Sequence, residues 1–374
     1  MASFPLKGVV LGALEAVGLF GLFQRLAWRN QRLLILGYHG VALLDEHRWE
    51  PGLYQSPATF EARLQEILRG GYQVLPLSEA IGRLYDGSLP PRSLVLTFDD
   101  GFADFAEIVH PMLQRYRLPA TVYITTCYCE AGGPVFNPFS RYLLWKCGRD
   151  GVDAAPLLGR PERWNLTTLE GQAGAFRSLH RWAKDRGLCP REKDQLLDQL
   201  GLLLGVDLEP LRARRMFHLM RPAEVAELSR AGIDFQLHTH RHRTPMDQAL
   251  FLREIADNRT VLEPLRGSPA THLAYPSGVH SEVFLPWLRE AGVSSATTVE
   301  SGIASRATDP LLLPRMVDTD TLSPVEFRAW LCGIRSLFPT RVRQAPLRPP
   351  PPGSPGSADP ATAASRHEES ATRL

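Results

Sequence analysis

The sequence predicts an α/β protein in which short apolar strands alternate with helices between Leu33 and about Phe338. The apolar run at residues 33–38 is typical of a strand buried on both faces, and residues 93–98 give the strongest strand pattern. Between these two strands, residues 59–68 carry apolar side chains at helical spacing. Strands that alternate with crossover helices form a parallel sheet, either open or closed into a barrel.

The remaining elements continue this alternation as far as residue 299. Further strands are predicted at residues 73–75, 120–124, 234–238, 272–275 and 295–299. Further helices are predicted at residues 78–85, 103–116, 221–231, 247–265 and 281–291. Residues 136–215 do not follow the pattern and are rich in Leu, Arg and Trp, with leucines at helical spacing. We interpret them as a helical insertion above the sheet that shapes substrate access.

The two ends of the chain differ in composition from the main domain, which we place at residues 31–340. Residues 345–374 are rich in proline and small polar residues. Such a segment has too little apolar surface to offset its ordering entropy, so we expect it to be disordered. Residues 1–30 are expected to form an apolar N-terminal helix.

The environment of that N-terminal helix is left open by the sequence. Residues 8–23 fall short of the ~20 residues of a membrane-spanning helix, and Glu15 interrupts them. No small-residue cleavage site of a secretory signal follows. Residues 8–29 therefore either lie at a membrane surface or pack against the domain or a partner. We expect a cytoplasmic protein, with peripheral membrane association as one alternative.

The composition excludes some classes of partner and of fold. A net charge of +2 provides no basic surplus, so we expect no nucleic-acid partner. The five cysteines are odd in number and irregularly spaced, which argues against a disulfide framework and favours a reducing compartment.

Two groups of polar residues each follow a predicted strand. The first is Thr97-Phe98-Asp99-Asp100-Gly101, whose adjacent carboxylates would repel each other unless a cation or a proton lay between them. The second is His238-Thr239-His240-Arg241-His242, whose outer imidazoles face the same way if the backbone turns helically and would then suit a divalent metal. Active sites of α/β folds lie at such carboxyl ends of strands. The alternatives are a capped turn and a solvated polar turn.

Together, these two motifs resemble those of the NodB-type polysaccharide deacetylases, carbohydrate esterase family four. Other stretches are similar to further motifs of this family: Gly37-Tyr38-His39-Gly40, residues 118–124, Leu313-Pro314-Arg315, and residues 272–278, which match a subgroup with Tyr-Pro in its third motif. The resemblance spans residues 33–316 apart from the insertion. It implies a distorted (β/α) barrel of the polysaccharide deacetylase type.

The resemblance also implies an activity and a set of roles. The activity is metal-dependent hydrolysis of N-acetyl groups from an N-acetylhexosamine-containing polysaccharide or glycolipid, so the partner is an acetylated glycan. Asp100, His238 and His242 would hold the metal, which is commonly zinc in this family, although other first-row ions suit the same ligands. Asp99 would be the general base.

The third and fourth family motifs depart from their usual residues here. Backbone N–H groups near Tyr275 to Ser277 would donate to the oxyanion. Ala274 stands where an arginine usually holds the base, so Arg315 becomes the candidate for that role. A purely structural salt bridge is the alternative for Arg315.

The late family motif that supplies a histidine to protonate the leaving amine is missing. No histidine occurs between Arg315 and His367. His39 is our first candidate for this acid, and the others are His240, His272, Asp318 and Asp320. The missing histidine also keeps two alternatives open: an O-acetyl esterase, whose leaving group needs less protonation, and a non-catalytic carbohydrate-binding protein.

Overall fold

The computed structural model describes residues 4–338, so the segment at residues 345–374 that was expected to be disordered lies outside the described residues. The strands within residues 4–338 are β1 (Leu34–Tyr38), β2 (Gly40–Val41), β3 (Tyr54–Gln55), β4 (Gln73–Val74), β5 (Ser93–Phe98), β6 (Thr121–Ile124), β7 (Gly151–Asp153), β8 (Arg163–Asn165), β9 (Asp234–Leu237), β10 (His272–Ala274), β11 (Ser295–Thr297) and β12 (Met316–Val317).

Eight of these strands form the central sheet, in the order β11–β10–β9–β6–β5–β1–β12, with β4 paired to the first residues of β5. All of these neighbouring strands are parallel. The pairing of β1 with β5 runs from Leu34 opposite Leu94 to Tyr38 opposite Phe98. Both strands are buried along their whole length, which explains why their sequences are continuously apolar.

The two edges of the sheet are joined by residues 313–317. Leu313 forms a parallel bridge with Thr297 at the end of β11, and Met316 pairs with Leu36 in β1. The sheet therefore closes into a barrel, which confirms the predicted distorted (β/α) fold. The barrel is distorted because this closing segment contributes only a two-residue strand.

Helices connect the strands and cover the barrel. They are α1 (Phe4–Ala16), α2 (Leu19–Arg25), α3 (Ala27–Asn30), α4 (Glu46–Trp49), α5 (Pro57–Arg69), α6 (Leu77–Asp86), α7 (His110–Tyr116), α8 (Cys127–Ala131), α9 (Phe136–Lys146), α10 (Ala155–Leu158), α11 (Leu169–Asp185), α12 (Pro190–Leu204), α13 (Glu209–Ala213), α14 (Pro222–Arg230), α15 (Gln248–Arg266), α16 (Phe284–Glu290) and α17 (Pro324–Leu331).

One predicted helix, at residues 103–116, begins differently from the expectation. Its first part is a π-helix at Phe105–Val109, and α7 follows. Pro111 has no amide hydrogen to give to the carbonyl of Glu107, and the N–H of His110 instead reaches the carbonyl of Phe105. The position of the π-helix therefore depends on Pro111. The spacing of apolar residues, on which the helix was predicted, does not contain this information.

The region predicted as a helical insertion contains α9 to α13 and also an antiparallel hairpin of β7 and β8. The hairpin pairs Val152 with Trp164, whose side chain is buried. Strands of three residues are too short to show an alternating pattern in the sequence, which is why the hairpin was not predicted. The burial of Trp164 gives it a packing role.

The single N-terminal helix that was expected is instead three short helices, α1 to α3. Gly18 lies in the left-handed region with φ 78° and separates α1 from α2. Leu11 and Phe20 are buried against residues of α17 and the turn after it, in a small cluster with Ala329 and Cys332. Part of this segment therefore packs against the barrel.

Within residues 4–338, no helix taken alone has the length and hydropathy needed to cross a membrane. The pair Gly8–Ala16 and Leu19–Arg25 meets the criterion only when its two members are taken together, and they are bent by 77°.

Arg29 fastens this N-terminal segment to the barrel. Its guanidinium is fully buried and donates to the carbonyl of Leu331 at 2.9 Å, of Arg32 at 3.0 Å and of Ser93 at 3.3 Å. Burial lowers the pKa of Arg29, with smaller opposing effects from Tyr72 and Cys332. The side chain thus connects α3 to the start of β5 and to the end of α17.

We expect Arg29→Met to lower the free energy of unfolding by about 2–4 kcal/mol, because buried carbonyls lose their donor. Urea unfolding followed by circular dichroism measures the change. The control is Arg253→Met, which alters an arginine side chain on α15 that is 70% exposed and should change stability by less than about 0.5 kcal/mol. Equal effects of the two substitutions would contradict this role for Arg29.

Candidate metal centre and active site

The polar residues singled out by the sequence meet at one end of the barrel. Asp99 and Asp100 directly follow β5, and His238 directly follows β9. Because all strands of the sheet are parallel, both groups lie at the carboxyl ends of their strands. The fold therefore brings together two motifs that are more than a hundred residues apart.

Asp100, His238 and His242 form a compact group of potential metal ligands. One donor atom from each residue lies within 4.8 Å of the other two. Oδ1 of Asp100 is 3.3 Å from Nε2 of His238 and 3.3 Å from Nε2 of His242. Burial opposes ionisation of Asp100, but the two imidazoles outweigh it and hold the pKa of Asp100 well below its ordinary value.

The tautomer of His238 is fixed by the strand beside it. Nδ1 lies 2.8 Å from the backbone carbonyl oxygen of Ala274. A carbonyl oxygen can only accept, so Nδ1 carries a hydrogen, and Nε2 is the ring nitrogen that can serve as a metal ligand. This carbonyl–imidazole arrangement is the usual support for a metal-binding histidine.

The sequence predicted that the two imidazoles face the same way if the backbone between them forms a helical turn. The loop that carries both histidines is not a helical turn. Thr239 and His242 both have positive φ, 60° and 53°. The two imidazoles meet because these left-handed residues fold the loop back on itself. The hydroxyl of Thr239 accepts the N–H of Arg243 at 3.0 Å, which closes the loop internally.

Two buried polar residues of α15 hold this loop and were missed in the sequence. Glu254 accepts the N–H of Arg241 at 2.8 Å and also pairs with the side chains of Arg241 and Arg243. Asn258 accepts the N–H of His238 at 3.0 Å. Both lie on the apolar face of a predicted helix, where a polar residue needs a buried partner. That position was the signal that could have identified them.

The turn at Asp100 and Gly101 sets the direction of the first ligand. Both residues have positive φ, 67° and 84°. A Cβ at Gly101 would lie 2.4 Å from the side chain of Ile124, so only glycine fits here. The glycine of this motif is therefore explained by backbone conformation and close packing rather than by chemistry.

Arg315, the candidate for holding the proposed base, makes a bidentate contact with Asp99. Its two terminal nitrogens donate to Oδ1 and Oδ2 of Asp99, each at 2.7 Å, and both side chains are buried. Burial raises the pKa of Asp99, but the guanidinium outweighs it and holds that pKa below its ordinary value. Nε of Arg315 donates to the carbonyl of Thr298 at 2.9 Å, which fixes the orientation of the fork.

His39 lies beside this pair at the end of β1. Its Nε2 is 3.9 Å from Oδ2 of Asp99. Within residues 4–338, Nδ1 of His39 is buried without a hydrogen-bond partner. Burial lowers the pKa of His39, against the opposite effect of the carboxylates of Asp99 and Asp100.

The two residues predicted for the oxyanion differ in what they can offer. The N–H of Tyr275 donates to the carbonyl of Thr297 at 3.1 Å, and its buried hydroxyl donates to the carbonyl of Leu311 at 3.0 Å. Both donors of Tyr275 are thus engaged, and this part of the expectation needs correction. Ser277 lies in the left-handed region with φ 54°, in a short 3₁₀ turn after β10. The prediction for the oxyanion donor therefore narrows to Ser277.

The other candidates for a proton donor are engaged in structural contacts. His272 begins β10, at the amino end of the strand, and contacts hydroxyls through both ring nitrogens, at 2.7 and 2.8 Å. His240 contacts the hydroxyl of Thr126 at 2.8 Å. Asp318 pairs with buried Arg63. Asp320 accepts a backbone N–H from Ser56.

The sequence and the architecture match known proteins. The model of the polysaccharide deacetylase family matches residues 86–155 and 180–296, half of the chain. The chain belongs to the polysaccharide deacetylase family. The resemblance drawn from the two motifs is thereby confirmed.

One named relative agrees with this assignment. YxkH of Bacillus subtilis strain 168, whose name places it among the polysaccharide deacetylases, is 32% identical over 94 residues. Those residues are 25% of this chain and only 32% of YxkH, so the match spans about a third of that relative.

Solved structures share the fold. The Streptococcus pyogenes deacetylase PplD in complex with acetate aligns with a TM-score of 0.54 at 20% identity, over 82% of this chain and 99% of PplD. IcaB from Ammonifex degensii aligns with a TM-score of 0.50 at 17% identity, over 80% of this chain and 97% of IcaB. At these identities the likeness concerns the architecture alone.

A further buried carboxyl, Asp104, ties the aspartate loop to β2. Its Oδ2 accepts the N–H of Val41 at 2.5 Å, and the residue is only 5% exposed. Burial raises the pKa of Asp104 to about 8, with Glu46 adding to the rise and the Val41 N–H opposing it. The folded protein therefore retains a proton here near neutral pH that the unfolded chain releases.

We expect Asp104→Asn to gain stability relative to the unsubstituted chain as the pH rises. The folded-state pKa of Asp104 lies above its unfolded value, so its contribution to stability is complete below about pH 4 and is lost as the pH rises to about 8. An amide at this position does not titrate, so the difference between the chains should grow by up to about 1.4 kcal/mol per pH unit in this window. Urea unfolding at several pH values measures it, and parallel pH profiles would contradict the prediction.

Proposed function

We propose that this polysaccharide deacetylase hydrolyses N-acetyl groups from an N-acetylhexosamine-containing polysaccharide or glycolipid in a metal-dependent reaction. The observation that carries the proposal is the convergence of Asp100, His238 and His242 beside a carboxylate, Asp99, that is held by a buried arginine. The aspartate and the two histidines can hold a cation, and the carboxylate of Asp99 can accept a proton next to it.

The ligand set supports zinc as the metal. Two imidazole nitrogens and one carboxylate oxygen suit a catalytic zinc site, which keeps a position open for water and substrate. Nε2 of His238 is the nitrogen available as a ligand, because Nδ1 donates to the carbonyl of Ala274, and the pKa of Asp100 lies well below its ordinary value. When bound, a zinc ion would polarise the acetyl carbonyl and lower the pKa of a coordinated water to about 7.

Asp99 is proposed as the general base. Each of its oxygens accepts one hydrogen bond from Arg315, and a carboxylate oxygen has a second lone pair with which to accept a proton from the attacking water. Arg315 is thus proposed to act through Asp99, because the bidentate pair fixes the plane of the carboxylate and keeps it ionised. The N–H of Ser277 is proposed to donate to the oxyanion that forms.

His39 is proposed as the acid that protonates the leaving amine. Its Nε2 lies 3.9 Å from Oδ2 of the proposed base, so a proton donor and a proton acceptor face the same space. Burial lowers the pKa of His39, which makes its protonated form a stronger acid toward an amine. In this assignment His39 takes the role of the histidine that the late family motif usually supplies and that this sequence lacks.

O-deacetylation of an acetylated polysaccharide is the second candidate. The absence of a histidine in the sequence between Arg315 and His367 favours it, because an alcohol is a better leaving group than an amine and needs less assistance from an acid. The same metal site and the same base would serve both reactions.

Acetate release from a panel of N- and O-acetylated glycans, with added zinc, cobalt or manganese, tests the proposal together with metal analysis. We expect Asp100→Ala to lose the metal, because one of three ligands is removed. Asp99→Asn should retain the metal and lower acetate release by at least about a hundredfold. The control is Asp86→Asn, an exposed change at the end of α6 that should alter neither property.

Each of these results can also contradict the proposal. Equal metal content in Asp100→Ala and the unsubstituted chain would refute the metal site. Undiminished turnover by Asp99→Asn would refute the base. Acetate release from no glycan of the panel would favour a carbohydrate-binding protein instead.

We expect His39→Gln to separate the two candidate reactions. Turnover of an N-acetylated glycan should fall by about a hundredfold or more, because the amine leaves without its proton. Turnover of an aryl acetate, whose leaving group needs no proton, should fall far less, and the metal content should stay unchanged. Equal losses on both substrates would contradict His39 as the acid.

A further inference from the structure

The exposed residues between positions 8 and 24, in α1, α2 and the turn between them, are apolar. Val9 is 67% exposed, Val17 72% and Leu22 55%. A helix face that meets water normally carries charged or polar residues, and its opposite face is the one that packs on the core. Here the buried side is also apolar, because Leu11 and Phe20 pack against the barrel.

The only charged residue among residues 8–24 does not reach that face. Glu15 accepts two hydrogen bonds from Arg328 of α17, at 2.5 and 2.8 Å. The ion pair turns its carboxylate toward the barrel. The residues exposed between positions 8 and 24 are therefore uncharged and apolar, which is a local concentration of apolar surface rather than a single exposed residue.

Basic side chains border this patch. A pocket of about 360 Å³ lies beside α2. It is lined by Gly21, Gln24, Arg25, Asn30, Pro91 and Arg92. Arg25 is exposed, and the guanidinium of Arg92 is held in place by a hydrogen bond to the carbonyl of Gly70 at 2.9 Å. The lining thus offers the two positive charges of Arg25 and Arg92 to an anionic group.

We propose that this surface, formed by α1, α2 and the pocket with Arg25 and Arg92, docks on a membrane that contains anionic lipids. An apolar patch beside a basic pocket is complementary to a lipid surface, in which apolar acyl chains lie beneath anionic phosphate groups. Val9, Val17 and Leu22 enter the acyl boundary, and the two arginines meet phosphates. A protein partner would instead have to supply both an apolar and an anionic patch in matching positions.

The docking surface and the proposed metal site lie at opposite ends of the barrel. Gln24 of α2 donates to the hydroxyl of Tyr72, which precedes β4, and Asn30 accepts the N–H of Arg92, which precedes β5. These contacts are at the amino ends of the strands, whereas Asp100 and His238 follow the carboxyl ends of β5 and β9. Docking therefore leaves the metal site facing away from the lipid, and the two properties can be tested separately.

Flotation of the full chain with vesicles tests the proposal. Vesicles of phosphatidylcholine alone are compared with vesicles that also contain about a third of phosphatidylglycerol, a common anionic lipid. We expect binding to the anionic vesicles and weaker binding at high salt, because the arginines meet phosphates. Deleting residues 1–30 is not a suitable test, because Leu11, Phe20 and Arg29 are buried against the barrel.

The variant is Val17→Asp with Leu22→Asp, and the matched control is Leu169→Asp with Leu202→Asp, two leucines of the insertion that are 80% and 83% exposed. We expect the variant to bind at least about tenfold less, since two apolar side chains no longer enter the lipid. The control should bind like the unsubstituted chain. Both should retain metal content, and the variant should also retain acetate release from a soluble glycan.

Several outcomes would overturn the proposal. These are no binding to either vesicle, an equal loss of binding in variant and control, or binding that survives Arg25→Glu at full strength. Retention on vesicles after an alkaline carbonate wash would indicate an inserted segment instead of a docked surface. A dimer in sedimentation experiments that Val17→Asp with Leu22→Asp dissolves would assign the patch to a second copy of the chain.

Discussion

The bidentate pair of Asp99 and Arg315 is the interaction on which the site and the barrel both depend. Arg315 belongs to the segment that joins the two edges of the sheet, and its side chain crosses the interior to reach the end of β5. On the way it contacts Thr97, Thr298 and the ring of Tyr123. Two charges buried this deeply are tolerated only when each satisfies the other. The segment that closes the barrel thus also supplies the side chain that orients the carboxylate proposed as base.

Buried polar groups that satisfy one another also hold the loop that carries His238 and His242. His238 and His242 come from a loop with two left-handed residues, a conformation that needs support from outside the loop. Glu254 and Asn258, buried on one face of α15, provide it through hydrogen bonds to backbone N–H groups. Their arrangement follows from the need of buried polar groups for partners, and it gives the imidazoles a fixed geometry.

The proposed metal site and the N-terminal helices lie at opposite ends of the barrel. Parallel strands have two unlike ends, and the ligands of the proposed metal all lie at the carboxyl end. The N-terminal helices pack at the amino end, where Arg29 joins them to Ser93 and Leu331. An apolar surface at that end can contact a lipid or a partner without obstructing a glycan at the other.

The sequence by itself determined the order of strands and helices, because burial of β1 and β5 on both faces leaves a continuous apolar pattern that is a local property. It also indicated the residues proposed as metal ligands, since the aspartate and histidine motifs are each contiguous. The tertiary structure alone decided which distant groups meet. Arg315 and Asp99 are 216 positions apart, and the donors of Tyr275 are taken by neighbouring carbonyls. Such contacts depend on the closure of the barrel, which no local pattern encodes.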